Sequence, residues 1–104
     1  MASAHKIRMD FELAKRQAQR LEEVAGKMDR IADGQMADAM ERLAAGWTGE
    51  NSVKFIKKES RLQSEMGSTA DSLRRVADTI REIAQNVYEA EMEAYEIARD
   101  RRSK

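Results

Sequence analysis

The chain has no proline in 104 residues, and only one short stretch near its middle carries the marks of a reversal: Ala44-Ala45-Gly46-Trp47-Thr48-Gly49-Glu50. Proline breaks helix interiors by removing a backbone donor and clashing with the preceding turn, so its absence leaves both flanks free to run as long helices. Within the break, Gly46 suits the left-handed residue that closes a helix. Thr48 offers an N-cap oxygen to the next helix, and Glu50 stands in its first turn, where the helix dipole favours an acid. The reversal itself does not require Trp47, the single tryptophan of the chain.

The apolar residues on either side recur at alternating steps of three and four, the spacing of one helical face. Before the break the stripe reads Ala14, Ala18, Leu21, Ala25, Met28, Ala32, Met36, Ala39 and Leu43, widened by Phe11, Val24, Ile31 and Met40. After it, Met66, Ala70, Leu73, Ala77, Ile80, Ala84 and Val87 form the clearest seam, broadened by Val76 and Ile83. This pattern predicts an all-α helical hairpin, a single domain over 1–104: a helix over about 11–45, a turn at 46–49 and a helix over about 49–100. Asp10 is the expected N-cap of the first helix, with residues 1–9 as a leader in which Ile7 and Met9 alternate around Arg8. Gly26 and Gly34 mark either close crossings or slack, and an irregularity is expected within 57–69, where Ser60, Ser64, Gly67, Ser68 and Thr69 gather. Five pairs, Glu12–Arg16, Glu23–Lys27, Asp38–Arg42, Glu50–Lys54 and Asp71–Arg75, place an acid four residues before a base and support solvated helix faces.

Charge and composition narrow the function. Lys plus Arg equals Asp plus Glu at 19 each, so the basic surplus usual in nucleic-acid binders is absent. Without cysteine there is no thiol chemistry, disulfide or Cys-based zinc site. The single histidine, His5, stands in the leader with no second histidine to form a metal or catalytic group, and the acids Glu89, Glu91, Glu93 and Glu96 lack the histidines of a di-metal bundle site. No phosphate loop or nucleophile motif occurs. The expectation is a protein that is not an enzyme and carries no cofactor or metal. No apolar run reaches membrane-spanning length, and the first residues lack the apolar region of a secretory signal peptide.

A 35-residue helix is about 50 Å long. Folding back at the break sets residue 11 near residue 85, and the chain beyond Val87 overhangs with Tyr88, Met92, Tyr95 and Ile97 still to be covered, by the leader or by another chain. Two helices cannot enclose a core, and burying both wide stripes takes about four. Dimerisation into an antiparallel four-helix bundle is therefore expected.

Trp47-Thr48-Gly49, a Trp-X-Gly turn at mid-chain between long proline-free helices, resembles the WXG family, the hundred-residue helical hairpins of type VII secretion related to the early secreted antigenic target proteins. The resemblance spans the whole chain. It implies a homodimer, or a heterodimer with a paired WXG-type protein. It also implies export by a membrane-bound secretion ATPase without a cleaved signal peptide, so that the protein is cytoplasmic first and extracellular afterwards. Members carry a Tyr-x-x-x-acid signal after the packed part of the second helix. Here Tyr88 is followed at that spacing by Met92 and Tyr95 by Arg99, while acids stand one residue off at Glu91, Glu93 and Asp100. A looser pattern, apolar-x-x-x-acid-x-x-apolar-x-x-x-apolar, fits Val87, Glu91, Ala94 and Ala98.

Two candidate recognition features follow. One is the turn motif, Trp47 with Gly49, where the alternative is a plug packing on Leu43 and Val53. The other is the face formed by Val87, Tyr88, Glu91, Met92 and Tyr95, as an export or partner-binding surface, where the alternative is ordinary dimer packing. Arg99, Arg101, Arg102 and Lys104 read as a solvated helix end that suits the dipole. Function is then expected to be that of a secreted substrate or adaptor acting by helix-mediated binding. The alternatives are a cytoplasmic scaffold hairpin or the export partner of a larger secreted toxin.

Overall fold

A computed structural model of the chain describes residues 3–46 and 49–103, and all of its regular structure is helical. Helix α1 runs Ala4–Arg30, a π-helical turn follows at Ile31–Met36, and α2 runs Ala37–Gly46; after the break α3 runs Glu50–Ser103. Two helical stretches joined by a short turn are consistent with a helical hairpin. Trp47 and Thr48, to which the sequence assigns recognition and capping, lie outside the described residues.

The chain divides into two compact units, Met1–Leu21 with Arg75–Lys104, and Glu22–Arg74. Each pairs helical segments antiparallel. In the first, Phe11 stacks on Tyr88 with ring centroids 4.7 Å apart, and a groove joins Ile7 and Phe11 to Ile80, Ala84 and Tyr88. In the second, Asp29 meets Arg74, and the Ser60 hydroxyl points at the Met40 sulfur, 3.7 Å away.

The core is small. Among the described residues, Ile7, Ala18 and Ala77 are buried in the first unit and Ala25, Ala32 and Ala70 in the second, and no large side chain among them is fully buried. Alanine at seven-residue intervals (18, 25, 32 and 70, 77) leaves little between backbones, so the seam gains close dispersion contact but buries little apolar area per residue. Asp29, Asp71 and Arg74 clamp the second unit. Arg74 bonds Asp29 across the helices and Asp71 one turn back at 3.1 Å, and these contacts, led by the hydrogen bond to Asp29, hold its guanidinium pKa above the ordinary arginine value.

Four local expectations are corrected. The first helix starts at Ala4, not near Phe11: Ser3 is its cap, with the Ser3 hydroxyl and carbonyl accepting the N–H groups of Lys6 and Ile7. Asp10 lies inside the helix, and its carboxylate takes Lys6 Nζ at 2.9 Å. The leader is helical because Ile7 falls four residues before Phe11, on the same face, and is buried at 3% exposure. The left-handed glycine is Gly49, at φ 116°, whereas Gly46 ends α2. Gly49 opens α3, its carbonyl accepting hydrogen bonds from the Ser52 hydroxyl at 2.6 Å and the Val53 N–H at 3.3 Å, which satisfies the hydroxyl of the buried Ser52.

The third correction concerns 57–69, which is unbroken helix. Its serines and Gly67 weaken local preference, but α3 continues through them because Glu59, Gln63, Met66 and Ala70 keep the three-and-four spacing of covered positions. The fourth is Ala39, placed by spacing on the inner stripe and found exposed. The π turn winds wider than an α-helix and accommodates one extra residue. Covered positions therefore move from Ala32 to Met36, Ala37, Met40 and Leu43. Gly34 sits in this turn with nothing near its would-be Cβ, so it marks slack and not a close crossing. A methyl at Gly26 would meet only the end of Arg30, at 3.5 Å.

Candidate interaction surfaces

The covered faces of the helices are narrower than their apolar stripes, and the surplus is ordered. On α3, Leu62, Val76, Ile83 and Ile97 stand at multiples of seven residues, with Phe55 seven before Leu62. Each is exposed by between 39% and 56%. Each precedes by one position a residue of the covered line, Gln63, Ala77, Ala84 and Ala98. Val24 on α1 and Ile31 at the start of the π turn occupy the same position relative to Ala25 and Ala32. Leu13, eleven residues before Val24, falls on the same side because eleven residues is close to three turns. These residues and Met9 are exposed as well.

The geometry of an antiparallel pair puts the two lines together. A two-fold axis perpendicular to the plane of the helices relates them and preserves the front of that plane. Positions just before the seam on both helices therefore share one side. In the first unit that side carries Leu13 from α1 with Val76, Ile83, Val87 and Ile97 from α3. In the second it carries Val24 and Ile31 with Leu62.

The face expected at 87–95 divides between this surface and the seam. Val87 is 48% exposed and continues the apolar line beside Ile83. Tyr88, Glu91, Met92 and Tyr95 are half-buried along the seam. Tyr88 stacks on Phe11, which also lies under the Lys15 ammonium at 4.8 Å from its ring centre. Glu91 lines an apolar groove with Ile7, Phe11, Ile80, Ile83 and Val87. Lys6, held above its ordinary pKa first by its hydrogen bond to Asp10, also feels the charge of Glu91. The helical leader thus reaches Glu91 and covers part of what spacing left overhanging.

Of the turn motif, Gly49 has the structural role described above and Trp47 is outside the described residues. Among those residues no group of three or more His, Asp or Glu side chains is placed to hold a metal ion, and no helix is long and apolar enough to cross a membrane. The acids Glu12 and Asp71 pair with Lys15 and Arg74, three residues on. Residue-by-residue stripes pointed to Val24, Ile31, Val76 and Ile83 as broadening the seam. The signal that resolves those on α3 into a separate line is their recurrence at multiples of seven residues, at Leu62, Val76, Ile83 and Ile97, which spacing within one turn does not reveal. Comparison with known protein families, with curated proteins and with solved structures finds no match to this chain.

Proposed function

We propose that the chain is a small, non-enzymatic protein of WXG type that acts by helix-mediated binding to another chain and leaves the cell as a substrate or adaptor of a type VII secretion system. The observation that carries the binding part is the second apolar line. Leu62, Val76, Ile83 and Ile97 are about half exposed at heptad spacing, and an apolar line of that period is what helix pairing uses. The surface area agrees. The chain exposes 7904 Å², roughly 2,000 Å² more than the surface scaling for a compact monomer of its mass.

The partner is a second copy or a paired WXG-type protein, giving an antiparallel four-helix bundle. Charge favours α1 of one chain lying over α3 of the other. Arg16 and Arg20 flank the apolar line on α1, and Glu82, Glu89 and Glu93 flank it on α3, all exposed. Such complementarity sets orientation more than affinity.

The export part rests on the resemblance at Trp47-Thr48-Gly49 and on the secretion ATPase it implies as a partner. A second reading is that the chain rides with a larger secreted toxin and shares its signal. The strict Tyr-x-x-x-acid tail is missing, and Tyr88 is engaged with Phe11, which favours a borrowed signal. Immunoblots of culture supernatant from cells with and without the secretion ATPase test export. Signal in the medium only when the ATPase is present supports it, and a wholly cell-associated protein overturns it in favour of a cytoplasmic scaffold. Removing the toxin gene product then separates the two exported readings.

A further inference from the structure

Ala18, Ala25 and Ala32 recur at seven residues, but the next step of seven, Ala39, is exposed, and the covered residue is Met40, eight positions after Ala32. The wide turn Ile31–Met36 takes up the surplus. As a result Met40 faces α3, where its sulfur accepts the Ser60 hydroxyl, and Ala39 is exposed. A straight α-helix through the same residues would do the reverse. Ala39 follows Ala18, Ala25 and Ala32 at the seven-residue interval and would join Met36 and Leu43 on the inner side. Both seats are apolar, because from Met36 to Ala45 only Asp38, Glu41 and Arg42 carry charge. Gly34 weakens the commitment to either. Glycine is the poorest helix former after proline, and a methyl at this position would meet no atom within 4 Å.

We propose that Ile31–Met36 is a register switch in the second unit. The arm Ala37–Gly46 exchanges between the seat with Met40 against α3 and a second seat in which the turn relaxes to α-helix. In that second seat the arm rotates by about one residue, roughly 100°, and Ala39 takes Met40's place. The exchange changes what the arm shows to solvent, methionine in one seat and alanine in the other. A partner that binds that side therefore selects one register. The switch is independent of export.

Because the chain has no cysteine, engineered pairs report the register directly. The pairs are Ala39→Cys with Ser60→Cys, and Met40→Cys with Ser60→Cys, each in the full chain and in a chain lacking Gly34. Deleting Gly34 removes the surplus residue, so an ordinary α-helix seats Ala37 and Met40 with no wide turn. Both pairs should close to disulfides in the full chain, the Met40 pair faster. In the deletion the Met40 pair should keep its rate while the Ala39 pair slows by about tenfold or more, the range expected when a minor state is lost. Methionine-methyl NMR on the cysteine-free proteins gives a second readout: Met40 doubled or exchange-broadened in the full chain, single and sharp in the deletion. An Ala39 pair that closes no faster in the full chain than in the deletion overturns the proposal. So does a single sharp Met40 signal in the full chain, or a deletion that fails to fold.

Discussion

Replacing Ala77 by leucine tests the close approach of the helices at a fully covered position. Ala77 has no exposed surface, so the three added carbons have no solvent to enter and must displace the facing helix. Overpacking of this kind costs about 1–3 kcal/mol. In a chain of this size each kilocalorie lowers the melting temperature by about 4–8 °C, so Ala77→Leu should melt roughly 5–20 °C below the parent in a far-ultraviolet circular dichroism scan. The adjacent residue supplies the control. Val76 is 49% exposed, and Val76→Ser should cost the paired helices themselves no more than about 0.5 kcal/mol. Whatever it costs beyond that passes through association, and should therefore change with protein concentration, whereas the loss in Ala77→Leu should appear at every concentration. A melting temperature unchanged by Ala77→Leu, or raised by it, would refute the idea that alanine at this position permits close contact.

Gly49→Ala should destabilise by about 1–3 kcal/mol, because φ 116° is costly for any residue with a Cβ, while Gly46→Ala, in a helix end with open space around it, should stabilise by up to about 1 kcal/mol; chemical denaturation of the two variants side by side checks both. Val76→Glu combined with Ile83→Glu should leave helix content intact and convert the protein to monomers in size-exclusion chromatography with light scattering, since charge on a half-exposed line is tolerated in one chain and not at a contact between two. Arg74→Met should lower the denaturation midpoint, and by less at high salt, where partly exposed pairs are screened. The Arg74 pKa is raised by Asp29, so its contribution is fully present below the ordinary arginine value and fades only as pH rises through the raised one. The difference between Arg74→Met and the parent attributable to this group should therefore stay constant between about pH 6 and pH 10.

The helices themselves were legible because their cause is local and repeated. No proline interrupts them, and Ala18, Ala25 and Ala32, with Ala70 and Ala77, recur at a spacing only a helix brings to one face. The features that escaped depend on single residues weighed against alternatives of similar energy. Ile7, Arg8 and Met9 alternate like an extended strand, and only the position of Ile7 one turn before Phe11 shows that helix buries it. Asp10 and Ser3 are both good caps, and the apolar payoff at Ile7 decides for Ser3. Gly46 and Gly49 can each take positive φ, and the backbone chooses the one whose carbonyl starts α3 through Ser52 and Val53. The π turn is the clearest case. The stripe from Ala32 through Met36 to Leu43 is consistent with a straight helix, and nothing in the spacing alone selects Met40 over Ala39. For the interaction surface, spacing showed that Val24, Ile31, Val76 and Ile83 exceed what one seam needs. It did not show that they fall on one side in each unit, which follows only from the antiparallel pairing.

The claim on which the functional account most depends is that the apolar line on α3 is covered by another chain. Sedimentation equilibrium of the purified protein at micromolar concentration measures this directly. A mass of twice 11.9 kDa or more, reduced to a single chain by glutamate at Val76 and Ile83, is the predicted result, and an unfolded chain that folds only with a paired homologue would place the same contact between two different proteins. A fully helical monomer that melts cooperatively at the same temperature across concentrations would contradict the account.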